Sequence, residues 1–171
     1  DGVKLAPGTT LSVNKPGDPN HVVLKNGTKE STLKVDGTKV TGKDVNLESL
    51  TVKANDQSAD VDLTGNVGKL SMDGARLKTT DGTLKVSTLD VKGTALSGTA
   101  KVEAATANLA GAKLNGTQLK ADTVTVDKDT KFDNAKVTAT TVKVDNDSAA
   151  AVADLIKSGT IASAADKLNV N

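Results

Sequence analysis

A Leu-x-Val or Leu-x-Met step recurs at Leu50, Leu70 and Leu89, and Leu109 falls at the next interval, so the spacings are 20, 19 and 20 residues. A finer beat runs from Ala107 to Val126, where Leu109, Leu114, Leu119 and Val124 stand five residues apart. Two residues before each stands a small or polar one: Ala107, Ala112, Thr117 and Asp122. A spacing of five suits neither the 3.6 of a helix nor the 2.0 of a strand. Both periods arise together if the chain winds as a parallel β-solenoid. In that winding each coil is a few short strands separated by tight bends, and every inward side chain stacks on its equivalent one coil away. A four-sided coil of about 20 residues, about five to a side, is the simplest such winding.

Short alternating runs support it. "TLKVDG", "SLTVKA", "ADVDLTG", "KLSMDG", "TLKVS", "TLDVKG", "AKVEA" and "TVKVD" follow one another from Ser31 to about Asp145 with little between them. Alternation of apolar and polar residues marks half-buried strands, and the Gly, Asn and Asp between the runs favour turns. The expected fold is therefore all-β, a parallel β-solenoid with a short C-terminal helix. An antiparallel β-sandwich of pilin type is the alternative, since the same short strands could pair that way.

The run "ANLAG", "AKLNG", "TQLKA" resembles the pentapeptide-repeat family, whose unit is small-(Asp/Asn)-Leu-x-x. The small and central positions match, and Asn108 alone matches the acidic or amide position. The gaps elsewhere widen to six, seven and eight residues, so the resemblance bears on winding geometry and not on that family's activities. The phrases "ADVDLTGNVGKLSMDGA" and "STLDVKGTALSG" resemble β-solenoid segments of bacterial surface proteins: autotransporter passengers, S-layer proteins and adhesins. That resemblance implies an extracellular structural role.

Both ends depart from the repeat. Residues 1–30 hold all three prolines and the turn-rich "NKPGDPN", and "HVVLKNG" reads as a strand closing on Asn26-Gly27. Near the other end "VDNDSAAAVADLIKSGT" predicts a helix capped by Asp147 or Ser148, with Val152, Leu155 and Ile156 on one face and Gly159 as its stop. Such a short helix must dock on something to be stable. The organisation expected is 1–30 as N-terminal strands forming a cap or connector, 31–146 as the solenoid body, and 147–171 as helix and tail.

Composition narrows the chemistry. The 171 residues include no Cys, Trp or Tyr, one Phe and one Met, and the net charge is +1. Ligand pockets and sugar-cutting grooves draw on aromatics. Nucleic-acid sites draw on Arg forks and stacking rings, and Arg76 is the sole Arg. No nucleic-acid partner is expected. No run of about 18 apolar residues occurs, so no membrane insertion is expected either. Asp1 stands where a processed, exported chain would begin, which fits a secreted or cell-surface location.

His21 is the only His, with no second ligand or nucleophile suggested beside it, and reads as a surface loop residue. "DKDTKFDN" and its neighbours place Asp127, Asp129, Asp133, Asp145 and Asp147 at spacings that calcium could use, although neither the glycine turn nor the terminal Glu of an EF-hand is present. Asp56, Asp60 and Asp62 form a similar group. The competing reading is turn-forming Asp among Lys neighbours. "KTTDGT" and "VTATTV" are Thr-rich, but their Thr positions drift along the sequence, so no regular Thr ladder is expected.

The expectation is a non-enzymatic, self-assembling extracellular subunit of a bacterial or archaeal surface filament, fibre or S-layer, joined to copies of itself through both termini. It needs no cofactor beyond calcium, if any. An adhesin or phage-fibre module that binds glycans or a host surface is the alternative. A polysaccharide-acting enzyme ranks last.

Overall fold

The computed structural model describes residues 2–13, 21–36, 39–53, 60–73, 76–91, 95–163 and 168–170. "NKPGDPN" and Asp56 lie outside them. Fourteen described strands form one sheet. They are β1 (Val3–Leu5), β2 (Thr10–Val13), β3 (His21–Asn26), β4 (Ser31–Asp36), β5 (Lys39–Lys53), β6 (Asp60–Asp73), β7 (Arg76–Lys78) and β8 (Leu84–Asp90). Then follow β9 (Ala95–Asn108), β10 (Lys113–Thr125), β11 (Lys131–Asp133), β12 (Lys136–Val144), the helix α1 (Ala149–Lys157), β13 (Ile161–Ser163) and β14 (Leu168–Val170).

From β5 to β14 every pairing is parallel. Each stretch of chain bonds to the stretch one coil before and one coil after. The body is therefore a parallel β-solenoid and not the antiparallel sandwich. Its coil is tighter than the Leu spacing suggests. Leu84 pairs with Val102 and Leu119 with Val137, each 18 residues apart. Leu50, Leu70 and Leu89 do stack in adjacent coils, but Ala107 follows them, not Leu109. Leu109 belongs one inward position further on. Its amide donates to the Thr125 carbonyl, as those of Val91 and Val126 donate to Asn108 and Lys143. The wider early coils, with offsets of 19 and 20, had masked the tightening.

The coil is three-sided rather than four-sided. Along Ala112–Thr130 the inward residues are Ala112 and Leu114, then Thr117, Leu119 and Ala121, then Val124 and Val126. Alternation breaks at Asn115-Gly116, at Asp122-Thr123 and around Lys128-Asp129, where adjacent residues both turn outward or toward the rim. A side with two inward residues plus its corner spans about five residues. A side with three spans about seven. The five-residue beat of the sequence is thus a sampling of unequal sides.

Stacking sets residue size. One buried column runs Leu47, Val67, Val86, Ala104, Ala121, Ala139. In this column large residues give way to small ones toward the C-terminal half, while the column Leu84, Val102, Leu119, Val137, Ile161 keeps its bulk. No aromatic side chain is fully buried among the described residues, and Phe132 packs only partly against the core. A tube filled by Leu, Val and Ala layers has little room for a ring. β5 carries a bulge between Gly42 and Val45, and Asp44 has φ 53°. Gly65 meets that bulge with φ 115°, and a Cβ on it would strike the Val45 backbone.

The N-terminal strands reverse direction. β3 and β4 lie antiparallel along β5, covering its second and first halves. β2 lies antiparallel on β3, and β1 on β4. Buried Asn26 fastens this layer, donating from Nδ2 to the carbonyls of Leu5 (2.7 Å), Ala6 (3.1 Å) and Lys29 (2.9 Å). At the other end α1 packs against β13 and β14, with Val152 buried and Leu155 and Ile156 partly so. Ser148 holds the N-cap position of α1 but its side chain makes no cap hydrogen bond there; the capping side chain is that of Asp145, whose Oδ1 accepts from the Ser148 amide at 2.9 Å across a preceding 3-10 turn, Asn146–Ser148. Ser148 is engaged elsewhere, since its Oγ accepts from the Lys128 amide. Gly159 ends the helix with φ 80°.

Two substitutions check this architecture by urea denaturation. Leu70→Ala opens a void in a fully buried column and should cost about 2–5 kcal/mol. Gly65→Ala should cost more than about 1 kcal/mol, because its φ and its contact with Val45 both exclude a side chain. The exposed corner substitution Thr88→Ala should stay within about 0.5 kcal/mol of the parent.

Candidate functional site

Asp and Thr side chains at the corners satisfy backbone groups that the parallel ladder leaves over. Asp127 Oδ1 accepts from the amides of Gly111 (2.9 Å), Asp129 (3.0 Å) and Thr130 (2.9 Å), and from Thr130 Oγ1 (3.0 Å). Thr130 Oγ1 also donates to the Leu109 carbonyl. Partial burial pushes the Asp127 carboxyl up, but the hydrogen bonds together outweigh it and hold the group below the usual carboxylate value. Asp62 acts similarly one region earlier, accepting from the Thr80 amide (3.0 Å) and hydroxyl (2.6 Å). Asp60 pairs with Arg76 at 2.8 Å. Thr64 and Thr79 accept the amides of Asp44 and Lys101.

The five candidate calcium ligands are therefore distributed over separate duties. Asp127 and Asp145 cap turns, Asp129 supplies an amide to Asp127, Asp133 is exposed on β11, and Asp147 lies in the 3-10 turn. Among the described residues no three acidic or imidazole side chains gather as a metal would require. His21 lies on β3 opposite Lys53 rather than in a loop.

The structure gathers Thr residues that the sequence spaces unevenly. Thr88, Thr106, Thr123 and Thr141 occupy one register position in four successive coils. The expectation of drift is corrected by the varying coil length, which absorbs it. The neighbouring outward column reads Asp90, Asn108, Thr125, Lys143, so the Thr row stands beside charged and amide groups. A second face bears Lys85, Glu103 and Lys120 in one column and Lys101, Gln118 and Lys136 in the next. All of these but Lys85 line a shallow groove. Isolated ammonium groups at this spacing offer solubility and weak anion contact, without the forked geometry of an Arg site.

The two ends are the most distinctive surfaces. At one, β1 pairs only with β4 and β2 only with β3. At the other, β13 and β14 pair only with β12. Each therefore keeps one side of its backbone without a strand partner among the described residues. β2, β13 and β14 contain no Lys, Arg, Asp, Glu or Pro, the residues that usually block edge pairing. β1 carries Lys4, whose amine is 4.0 Å from Glu30. Among the described residues, the exposed large hydrophobics are Val3 on β1 and Val170 on β14, one at each end. The sequence signal for these edges was the absence of guarding charges in "TLSV" and "LNV", which composition alone does not highlight.

No protein-family model, curated protein or solved structure matches this chain. Its class is set by its geometry: a parallel β-solenoid of about five coils with one short C-terminal helix.

The Asp127 cap gives a pH signature. Its folded pKa is lowered, so its contribution is complete above the unfolded value of about 4 and is lost as pH falls through the folded value. Asp127→Ala should cost about 1 kcal/mol at neutral pH, comparable to losing a helix cap. Denaturation midpoints of parent and variant should draw together as pH falls through the lowered Asp127 pKa.

Proposed function

We propose that this protein is a structural, self-assembling subunit, one that works outside the cell in a surface filament, fibre or layer. The observation that carries this reading is the unpaired, unguarded strand edge at each end of a rigid stack. An edge strand that carries neither charge nor proline is a template for another strand. A molecule with one at each end can add copies without limit, because a head-to-tail contact need not close. The extracellular setting rests on the resemblance to surface β-solenoids and on a Cys-free, aromatic-poor composition.

A structural role also fits how the polar side chains are used. Asp127, Asp145, Thr79 and Thr130 spend their oxygens on neighbouring backbone, so they serve winding rather than chemistry. The alternative, a monomeric adhesive module using the Lys-lined groove, makes the opposite forecast for self-association.

Negative-stain microscopy and light scattering across a concentration series test the proposal. Elongated polymers, with particle length rising with concentration, are expected. Monodisperse single particles at every concentration, with and without calcium, would overturn it.

A further inference from the structure

The two free edges run in the same direction and stand in the same columns. β2 is antiparallel to β3, β3 is antiparallel to β5, and β5 is parallel to everything that follows. The two reversals cancel, so β2 points the same way as β14. The register can be traced strand by strand. Leu11 leads through Leu24, Leu50, Leu70, Leu89, Ala107, Val124 and Val142 to Leu168. Ser12 leads by the same route through Val23, Thr51, Ser71, Asp90, Asn108, Thr125 and Lys143 to Asn169. Val13 and Val170 stand one residue further along on each terminal strand.

From this we propose that the subunit joint is polar and parallel: β14 of one copy takes β2 of the next as its neighbouring strand, with Leu168 beside Leu11 and Asn169 beside Ser12. This rests on the self-assembly reading and specifies its geometry. Translation along the solenoid axis keeps strand direction, so on this one side β2 continues the sheet beyond β14 as one more parallel strand. β1 and β13 stand over different sides: the β1 stack runs through Gly42 and Arg76 to β11, while Ile161 of β13 leads back through Val137, Leu119, Val102 and Leu84 to Gly65 and Val45, so the joint rests on β2 and β14.

A two-fold pairing of like ends does not share this fit. It sets like edges antiparallel, β14 against β14 or β2 against β2, and so breaks the parallel order that every pairing from β5 to β14 keeps. The register also brings residues of the same type to matching positions, Leu168 with Leu11 and Val170 with Val13. β1, β2, β13 and β14 are each three or four residues long, so one joint is small and binds weakly by itself. Assembly should therefore depend steeply on concentration.

The chain has no Cys, so engineered thiols report contacts without background. Neighbouring strands lie about 4.8 Å apart, within the Cα separation that a disulfide spans. Ser12→Cys and Asn169→Cys are made separately, checked for the parent circular dichroism spectrum, and oxidised alone and mixed. The expected result is a covalent dimer only in the mixture, and a ladder of multiples from the double variant. Disulfide dimers from either single variant alone would overturn the polar joint. So would polymers under the microscope with no cross-link in the mixture; in both cases self-assembly itself would stand. Monomers by every measure would overturn joint and self-assembly together.

A second variant does not depend on thiols. Ser12→Lys places a charge on the β2 edge and leaves β14 intact. In the polar joint such a subunit adds through β14 and then stops growth, so substoichiometric amounts should shorten parent polymers several-fold. Unchanged polymer length, with the variant incorporated, would overturn the joint.

Discussion

Each coil of this molecule has its backbone satisfied by the coil on either side of it. That exchange of hydrogen bonds between parallel coils governs nearly everything else in the structure. A parallel strand cannot bond to its own sequence neighbours, so every amide and carbonyl of the body waits on a segment about 18 residues away. The core follows from the same fact. Inward side chains repeat in columns, and each must match the size of those above and below it. Leu50, Leu70 and Leu89 meet that condition as equals. The column from Leu47 to Ala139 meets it by tapering.

The corners show what the ladder cannot do for itself. Where the chain turns, amides point away from the next coil, and Asp or Thr side chains take them up. Asp127 gathers three amides and a hydroxyl, and Thr130 passes on to Leu109, so one short turn ties consecutive coils together. Spaced Asp residues in a β-rich chain thus have a use that competes directly with metal binding: an oxygen that accepts several short hydrogen bonds has little left to offer a cation.

The ends follow from the ladder as well. A stack with no closure must finish on strands that lack one neighbour. At the N-terminus two reversals of direction restore the polarity of the body, and at the C-terminus α1 packs against strands whose outer edges stay unpaired. These ends are the surfaces on which the proposed self-assembly rests.

The amino-acid sequence by itself determined the solenoid class, the inward alternation, the helix near Val152 and the exclusion of bulky rings from the core. Those properties are written in local pattern: period-two alternation, a coil-length recurrence, and side-chain volume. It did not determine the coil at 18 residues, the three unequal sides, the place of Leu109 or the Thr row from Thr88 to Thr141. Nor did it reveal that β2 and β14 share a direction and a register. Those depend on which residues fall opposite one another after bulges and loops of different length have been absorbed. Only the folded stack decides that, because backbone hydrogen bonding fixes register between coils, while sequence spacing counts residues along the chain without knowing how many each corner consumes.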